Sequence, residues 1–342
     1  MTALLRRAVQ QLALPQLTAA GFATLGAVVL AAQADSRVPG WAVVLPQVIL
    51  AFNLAAALTT NPLLRRGGLA VFHIALLGCL VLLSWGRLTH FEGRVEVTQG
   101  SAFDPSNVEP LSVGLLHGDR LGRINFEQGA LEVHYATGLK RARTISQVRL
   151  DDDVGQRTES VGDDHPLRTG GFRFYTTHNK GFAPLLIWTA PGSAPVRGAV
   201  HLPSYPLFDG QQQQRWTPAG GPEVRLWLRM PTSVDERSAW QLRPDQVTAV
   251  LVVEAAGQRY ELQPGETASA DFGSLRYDRM LGWMGYRIHY DPTLSALWWL
   301  SCLGILGLVW HLWPLALRGR LTTTGARSLS SAVKHSRAQG LR

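Results

Sequence analysis

A chain of 342 residues that is 46% hydrophobic has room for one to three soluble domains, but its apolar residues are gathered into a few long runs, which excludes an ordinary soluble protein. A formal charge of +8 and a pI near 10 would ordinarily point to nucleic acid. Residues 87–290, however, carry 22 Lys/Arg against 23 Asp/Glu, so the surplus lies elsewhere and no nucleic-acid partner is expected.

Residues 17–34, 41–60, 69–88 and 294–313 each hold about 18 or more mainly apolar residues, without a charged side chain before the last few positions. A helix rising ~1.5 Å per residue needs roughly 20 of these to cross a ~30 Å hydrocarbon core, so the sequence predicts four transmembrane helices. The excess charge sits in Arg6 and Arg7, in Arg65 and Arg66, and in a tail with Arg318, Arg320, Arg327, Lys334, Arg337 and Arg342. All three groups flank helix ends on one side of a four-span arrangement, which by the positive-inside rule is the cytoplasm. Both termini are therefore expected in the cytoplasm of a multi-pass protein of the bacterial plasma (inner) membrane, with the large segment between the third and fourth helices outside, in the periplasm. The tail can touch anionic lipid headgroups. A competing reading makes the first helix a cleaved signal peptide ending at Ala32-Gln33-Ala34.

The expected layout is a membrane α+β protein. Residues 1–88 form a three-helix region, 89–292 an external β-rich domain, 293–317 the fourth helix and 318–342 a basic cytoplasmic tail. In the external domain, residues 130–134, 144–150, 171–177, 185–189, 223–229, 247–254, 258–262 and 285–290 read as strands between Gly, Pro and Asp clusters, which predicts a β-sandwich or an open barrel. Gln211 to Gln214 reads as a loop.

The two cysteines, Cys79 and Cys302, fall in the predicted third and fourth helices. The external domain thus has no disulfide framework, CxxC redox pair or CxxCH attachment site, and thiol chemistry must belong to a separate thiol-reducing partner. No GxSxG, HExxH, P-loop or dinucleotide fingerprint occurs, so no catalytic residue is assigned. Asp151-Asp152-Asp153 and Asp163-Asp164 read as solvated turns.

The histidines carry the functional reading. His73 lies about four residues inside the cytoplasmic start of the third helix and His311 about three before the cytoplasmic end of the fourth, at similar expected depth. An imidazole in hydrocarbon needs partners, and a pair at one level can clamp haem iron axially in a b-type site. The alternative is a hydrogen bond to a neighbouring helix or to the headgroup region, easier for His311 beside Trp310 and Trp313. His90 and His289, at the outer ends of the same helices, form a second candidate pair for an outer haem or exit site, against the plain reading of polar surface.

Several strings, taken in order, resemble the ResB-like (CcsB) cytochrome c biogenesis proteins over nearly the whole chain. They are Phe72-His73, Gly78, Phe91-Glu92-Gly93-Arg94-Val95 leading to Gln99-Gly100, and Asn53. In the external domain they are Tyr135-Ala136-Thr137-Gly138-Leu139-Lys140, Ser146-Gln147-Val148-Arg149-Leu150-Asp151, His165-Pro166-Leu167 and Gly171-Phe172-Arg173-Phe174-Tyr175, and before the fourth helix Gly285-Tyr286-Arg287-Ile288-His289-Tyr290-Asp291-Pro292. The resemblance implies an accessory subunit of a cytochrome c haem lyase or synthase complex. It would hold haem b and help move it across the membrane for attachment to apocytochrome c, with a multi-span ResC/CcsA-type partner. It also implies that His73 is the transmembrane haem ligand, its counterpart being His311 or a histidine of the partner. Gln99 departs from the family, which usually has an acidic residue there. Two further readings stand beside this one: a b-type electron-transfer cytochrome with inner His73/His311 and outer His90/His289 sites, and a membrane-anchored β-domain without cofactor.

Overall fold

The computed structural model describes residues 2–35, 38–152, 155–204, 212–230 and 237–313. The basic tail, Asp153, Gln211 and the last residues expected in the fourth helix lie outside them. The chain forms two compact units. One comprises Met1–His90, Gly114–His117 and the chain from Asp291 onward, the other Phe91–Val113 and Gly118–Tyr290.

The first unit is helical. α1 (Thr2–Leu12) carries Arg6 and Arg7, and α2 (Pro15–Ala34) begins at a proline whose missing N–H costs nothing at a first helical position. α3 (Val44–Thr60) follows a 3-10 turn, Gly40–Val43. A second such turn, Pro62–Arg65, leads into α4 (Gly67–Thr89), and α5 (Leu294–Trp313) closes the unit. α2, α4, α5 and Gly40–Thr60 are long and apolar enough to cross a membrane. α1 is an addition: its run of polar residues hides a helix from a hydropathy reading.

Asn53 makes the break between α1 and α2 tolerable. Asn53 Nδ2 donates across the break to Leu12 O (2.6 Å) and to Leu14 O (3.2 Å), which also accepts from Leu17 N–H (3.1 Å), while its Oδ1 accepts from Thr18 (2.7 Å). The α4 C-terminus is closed in a similar way by the loop Gly114–His117. Leu116 N–H donates to Leu88 O (2.7 Å), Gly114 N–H to His90 O (2.9 Å) and His117 Nδ1 to Thr89 O (3.0 Å). At the start of α5, Asp291 Oδ1 accepts from the Thr293 amide (2.8 Å) and hydroxyl (2.6 Å), which accounts for the Asp291-Pro292 string as a helix entry.

α4 and α5 meet through glycine. A Cβ on Gly68 would fall on the Gly307 carbonyl oxygen and within 2.7 Å of His311 N, and one on Gly307 would come within 2.9 Å of Gly68 O and Phe72 N. Gly304 faces Ala75 and Gly78 faces Leu300 further along the seam. Small residues let the two backbones touch, the usual basis of helix association where lipid is the solvent.

The second unit contains β1 (Phe91–Thr98), β2 (Glu109–Val113), β3 (Glu127–Ala136), β4 (Lys140–Asp152), β5 (Gly155–Gly162), β6 (Leu167–Thr169), β7 (Phe172–Thr189) and β8 (Val196–Ala199). It continues with β9 (Leu202–Pro203), β10 (Gln213–Trp216), β11 (Val224–Arg229), β12 (Trp240–Leu242), β13 (Val250–Ala255), β14 (Gln258–Leu262), β15 (Thr267–Ala270) and β16 (Gly273–Tyr290). In place of a single sandwich or open barrel these strands form three sheets. One of eight strands has the central order β2-β1-β16-β7-β6, and two of four have the orders β10-β11-β13-β14 and β12-β3-β4-β5.

The runs expected at 171–177 and 185–189 are parts of one 18-residue strand, β7, antiparallel to the equally long β16. The polar stretch between them conceals this continuity, because register shifts at Tyr277/Arg279 and Met284/Tyr286 break the alternation. The expected strand at 247–254 starts only at Val250, after a 3-10 turn at Pro244–Gln246. Gln213 and Gln214, expected in a loop, belong to β10.

One core spans the three sheets, with Phe103, Phe126, Phe172, Phe174, Tyr277 and Tyr286 among its largest side chains. Phe126 packs edge-on against Phe174 and Tyr286 at 5.2 and 6.1 Å. Tyr286 is 1% exposed, yet its hydroxyl is satisfied: it donates to Gln128 Oε1 and lies 2.7 Å from Ser146 Oγ, while Gln128 Nε2 donates to Ser146 Oγ (2.6 Å).

Candidate functional site

His73 lies on α4, half-buried, with its ring edge-on to Phe72 at 5.2 Å. Its Nδ1 is 2.8 Å from the Leu69 carbonyl oxygen one turn earlier. A carbonyl oxygen only accepts, so Nδ1 is the donor and Nε2 is the nitrogen left for another partner. This is the arrangement in which a backbone carbonyl orients a metal-binding imidazole. At ~100° per residue His73 stands roughly 140° around α4 from Gly68, on the stripe of Leu77, Val81, Ser84 and Leu88 rather than on the α5 seam.

That stripe lines one wall of an apolar groove of about 370 Å³, with Val44, Val48, Ala51, Phe52 and Ala55 of α3 opposite. Leu77, one turn from His73, marks its nearer end. Ser84 bonds inward to Leu80 O (2.9 Å) and Gln47 (3.4 Å), so the groove presents hydrocarbon.

His311 is half-buried on α5, but the seam does not set it level with His73. Gly68 packs beside the Gly307–His311 turn and Ala75 beside Gly304, so the two histidines are offset by about five to seven residues, roughly 8–10 Å along the axes at ~1.5 Å per residue. Backbone contact at Gly68 and Gly307 also leaves no space for a flat ligand between α4 and α5 there. The structure does not bring this pair together as one axial clamp.

His90 caps α4: its amide donates to Gly86 O (2.8 Å) and its Nδ1 lies 2.8 Å from Arg87 O. His289 lies on β16 in the other unit, opposite Glu92 of β1 and Arg173 of β7, with its ring edge-on to Tyr175 at 5.7 Å. Burial lowers its affinity for a proton; Glu92 opposes that, and Arg287 and Arg173 add to it.

Asp163 forms an ion pair with Arg141 (2.8 Å), so this part of the acidic clusters has a packing role. Desolvation raises its pKa, but the Arg141 hydrogen bond and charge prevail and hold the carboxyl below its usual value. Among the described residues no group of three or more His, Cys, Asp or Glu side chains is arranged to hold a metal ion.

Three residues without a sequence signal also stand out. His201 stacks on Trp283 (4.6 Å between ring centres, 4° between planes), with Nδ1 2.9 Å from Glu96 and Nε2 2.8 Å from Thr98 Oγ1. His117 is buried against the α4 terminus. Lys180 is 3% exposed, and its amine is pushed down to about 8, first by burial and then by Arg141, against the attraction of Asp163. Only the pairing of distant strands and loops creates these surroundings.

Gln99 now has a reason to be an amide. Its Nε2 donates to Asp245 (3.2 Å) while its Oε1 accepts from Gly282 N–H (3.1 Å), and a carboxylate could not do the first.

The family model described as the ResB-like family matches residues 59–314, three quarters of the chain. No curated protein matches. The chain belongs to the ResB-like family, which suggests a role in cytochrome c biogenesis at the level of the family.

Proposed function

We propose that this ResB-like membrane protein is an accessory subunit of a cytochrome c haem lyase or synthase complex that holds haem b within the bilayer, with His73 as an axial ligand. The observation that carries the reading is the His73–Leu69 hydrogen bond: it occupies Nδ1 and leaves Nε2 as the donor for iron, on a stripe continuous with an apolar groove. Haem would supply a flat apolar face for such a groove and an iron for one nitrogen; the chain supplies the oriented imidazole.

A histidine of a ResC/CcsA-type partner, rather than His311, would supply the other nitrogen to the iron, since the offset of His311 and its place beside the glycine seam argue against closure within one chain. In this reading Arg6, Arg7, Arg65 and Arg66 mark the cytoplasmic face, the β-rich unit is periplasmic, and it serves apocytochrome c while a separate partner keeps the apocytochrome thiols reduced. His90 and His289 remain candidates for an outer site, each already held in local structure.

The test is the absorption spectrum of the reduced protein purified with its partner. His73→Ala is expected to lose at least tenfold of the b-type bands, and His311→Ala to keep them. Full bands in His73→Ala would overturn the assignment, and their loss in His311→Ala would return the second ligand to this chain.

A further inference from the structure

The β-rich unit carries a cleft of about 610 Å³ that the haem reading does not use. β2 covers the outer edge of β1 only as far as the Arg94↔Glu109 pair. Before Glu109 the chain arches away: Phe103 N–H bonds to Phe126 O (2.7 Å), and a 3-10 turn at Pro105–Asn107, held by the Asp104 carboxylate on Ser106 N–H (2.9 Å), carries it around. Past Arg94 no described strand pairs with that edge, although β16 holds the other edge through Thr98. Ser101 N–H takes the Thr98 carbonyl, and the odd positions of β1 bond β16, as Gln99 N–H does to Gly282 O (2.9 Å), so the main-chain groups on the edge beside the cleft are the N–H and C=O of Glu96 and the N–H of Thr98.

Ser101, Ala102, Asp104 and Asn107 form the far wall. Part of the floor is Gly285, where a Cβ would come within 2.7 Å of Thr177 Oγ1, so a side chain there would crowd the floor. The charge is lopsided. Glu96, Asp104 and Glu109 line the cleft against a single guanidinium, Arg94, which lies 3.9 Å from Glu109. The His201 imidazole, clamped on Trp283, directs Nδ1 to Glu96 and so fixes that carboxylate at the rim.

We propose that this cleft binds an extended polypeptide segment bearing lysine or arginine, which adds to the β1 edge where β2 leaves it. An open strand edge recognises another main chain by its alternating N–H and C=O groups, and side-chain selectivity follows from what flanks it. Here the flanks are carboxylates on an exposed wall, which select cationic side chains. The volume lies within the ordinary range of ligand sites. A free anion is the poorer occupant, because Arg94 and His201 already face carboxylates. The inference rests on the β-rich unit alone and is independent of the haem reading.

The test uses the full chain in uncharged detergent and a fluorescent heptapeptide of alternating lysine and valine. Saturable binding is expected, at least tenfold weaker for the glutamate–valine peptide and for a lysine–valine peptide N-methylated at alternate amides. Ala102→Trp, which fills the cleft from an exposed wall position, is expected to weaken binding at least tenfold while thermal unfolding is unchanged. Asn107→Lys, on the exposed wall, provides the same test by charge should the tryptophan variant fail to fold. Absence of saturable binding overturns the proposal, as does binding indifferent to N-methylation or to both substitutions. Self-association through the cleft, abolished by Ala102→Trp, would overturn it in favour of a second copy as occupant.

Discussion

In the helical unit most buried side chains are small or polar, with Leu50, against Gly21, and Val43 as the large apolar exceptions: Gln47, Asn53, Ala56, Ala75 and Ser84 are covered, while Phe52, Ile74, Trp85, Trp298 and Trp310 of the same helices are exposed. In the β-rich unit the order is reversed, with Phe126, Phe172, Phe174, Tyr277 and Tyr286 fully buried. Water drives the second pattern by expelling apolar surface. Lipid removes that drive, so the helices associate through backbone contact and through hydrogen bonds that hydrocarbon cannot supply. Buried polar groups consequently do different work in the two units: Asn53 holds a helix break closed, and Gln128 with Ser146 and Tyr286 ties two sheets together.

The largest effect is expected where the helical unit has no slack. Gly68→Val places a Cβ on the Gly307 backbone and is expected to cost ~3 kcal/mol or more in thermal unfolding in detergent, while Gly26→Val, with nothing within 4 Å, should change little. Equal effects at the two positions would remove the seam from the account.

Tyr286→Phe keeps the core volume of the β-rich unit but strips Gln128 and Ser146 of a partner, for an expected loss of ~2 kcal/mol in denaturant unfolding. An unchanged midpoint would mean that this buried network ties nothing.

Lys180 gives the β-rich unit a pH signature. Below about pH 8 its amine is charged in both folded and unfolded states, and the burial cost is carried in full. As pH rises from 8 toward 10.5 the folded protein releases its proton first, so stability rises, by ~2 kcal/mol near pH 9.5. Thermal melts of wild type and Lys180→Met across pH 7.5–9.5 check this: the slope should be present in the first and absent in the second.

The smallest effect is a gain. Ala256 adopts φ +48° in the two-residue turn between β13 and β14, a conformation that asparagine tolerates better, so Ala256→Asn should raise the unfolding midpoint by the equivalent of ~0.5–1 kcal/mol.

The same contrast explains what was legible. Uninterrupted apolar runs exposed the membrane helices within a few residues of their ends, because a helix satisfies its own backbone and its length follows from the bilayer. α1 escaped because Arg6, Arg7, Gln10 and Gln11 dilute it. In the β-rich unit, short alternating runs showed several strands but not that two of them were one strand, since β7 takes its continuity from β16. Cleft and cluster residues such as His201 and Lys180 escaped for the same reason, their partners being about 100 and 40 residues away for Glu96 and Arg141. The place of His73 on a long apolar helix was legible, but its hydrogen bond to Leu69 and its offset from His311 were not. Counting from helix ends put the two level, and the glycine seam sets them apart.

Haem content per chain of the partner-bound complex carrying His73→Gly, purified with and without imidazole, decides whether His73 holds the iron. If His73 Nε2 is an axial donor, the variant retains less than a tenth of wild-type haem and regains most of it when imidazole is supplied. Wild-type haem content in His73→Gly without imidazole would contradict the account.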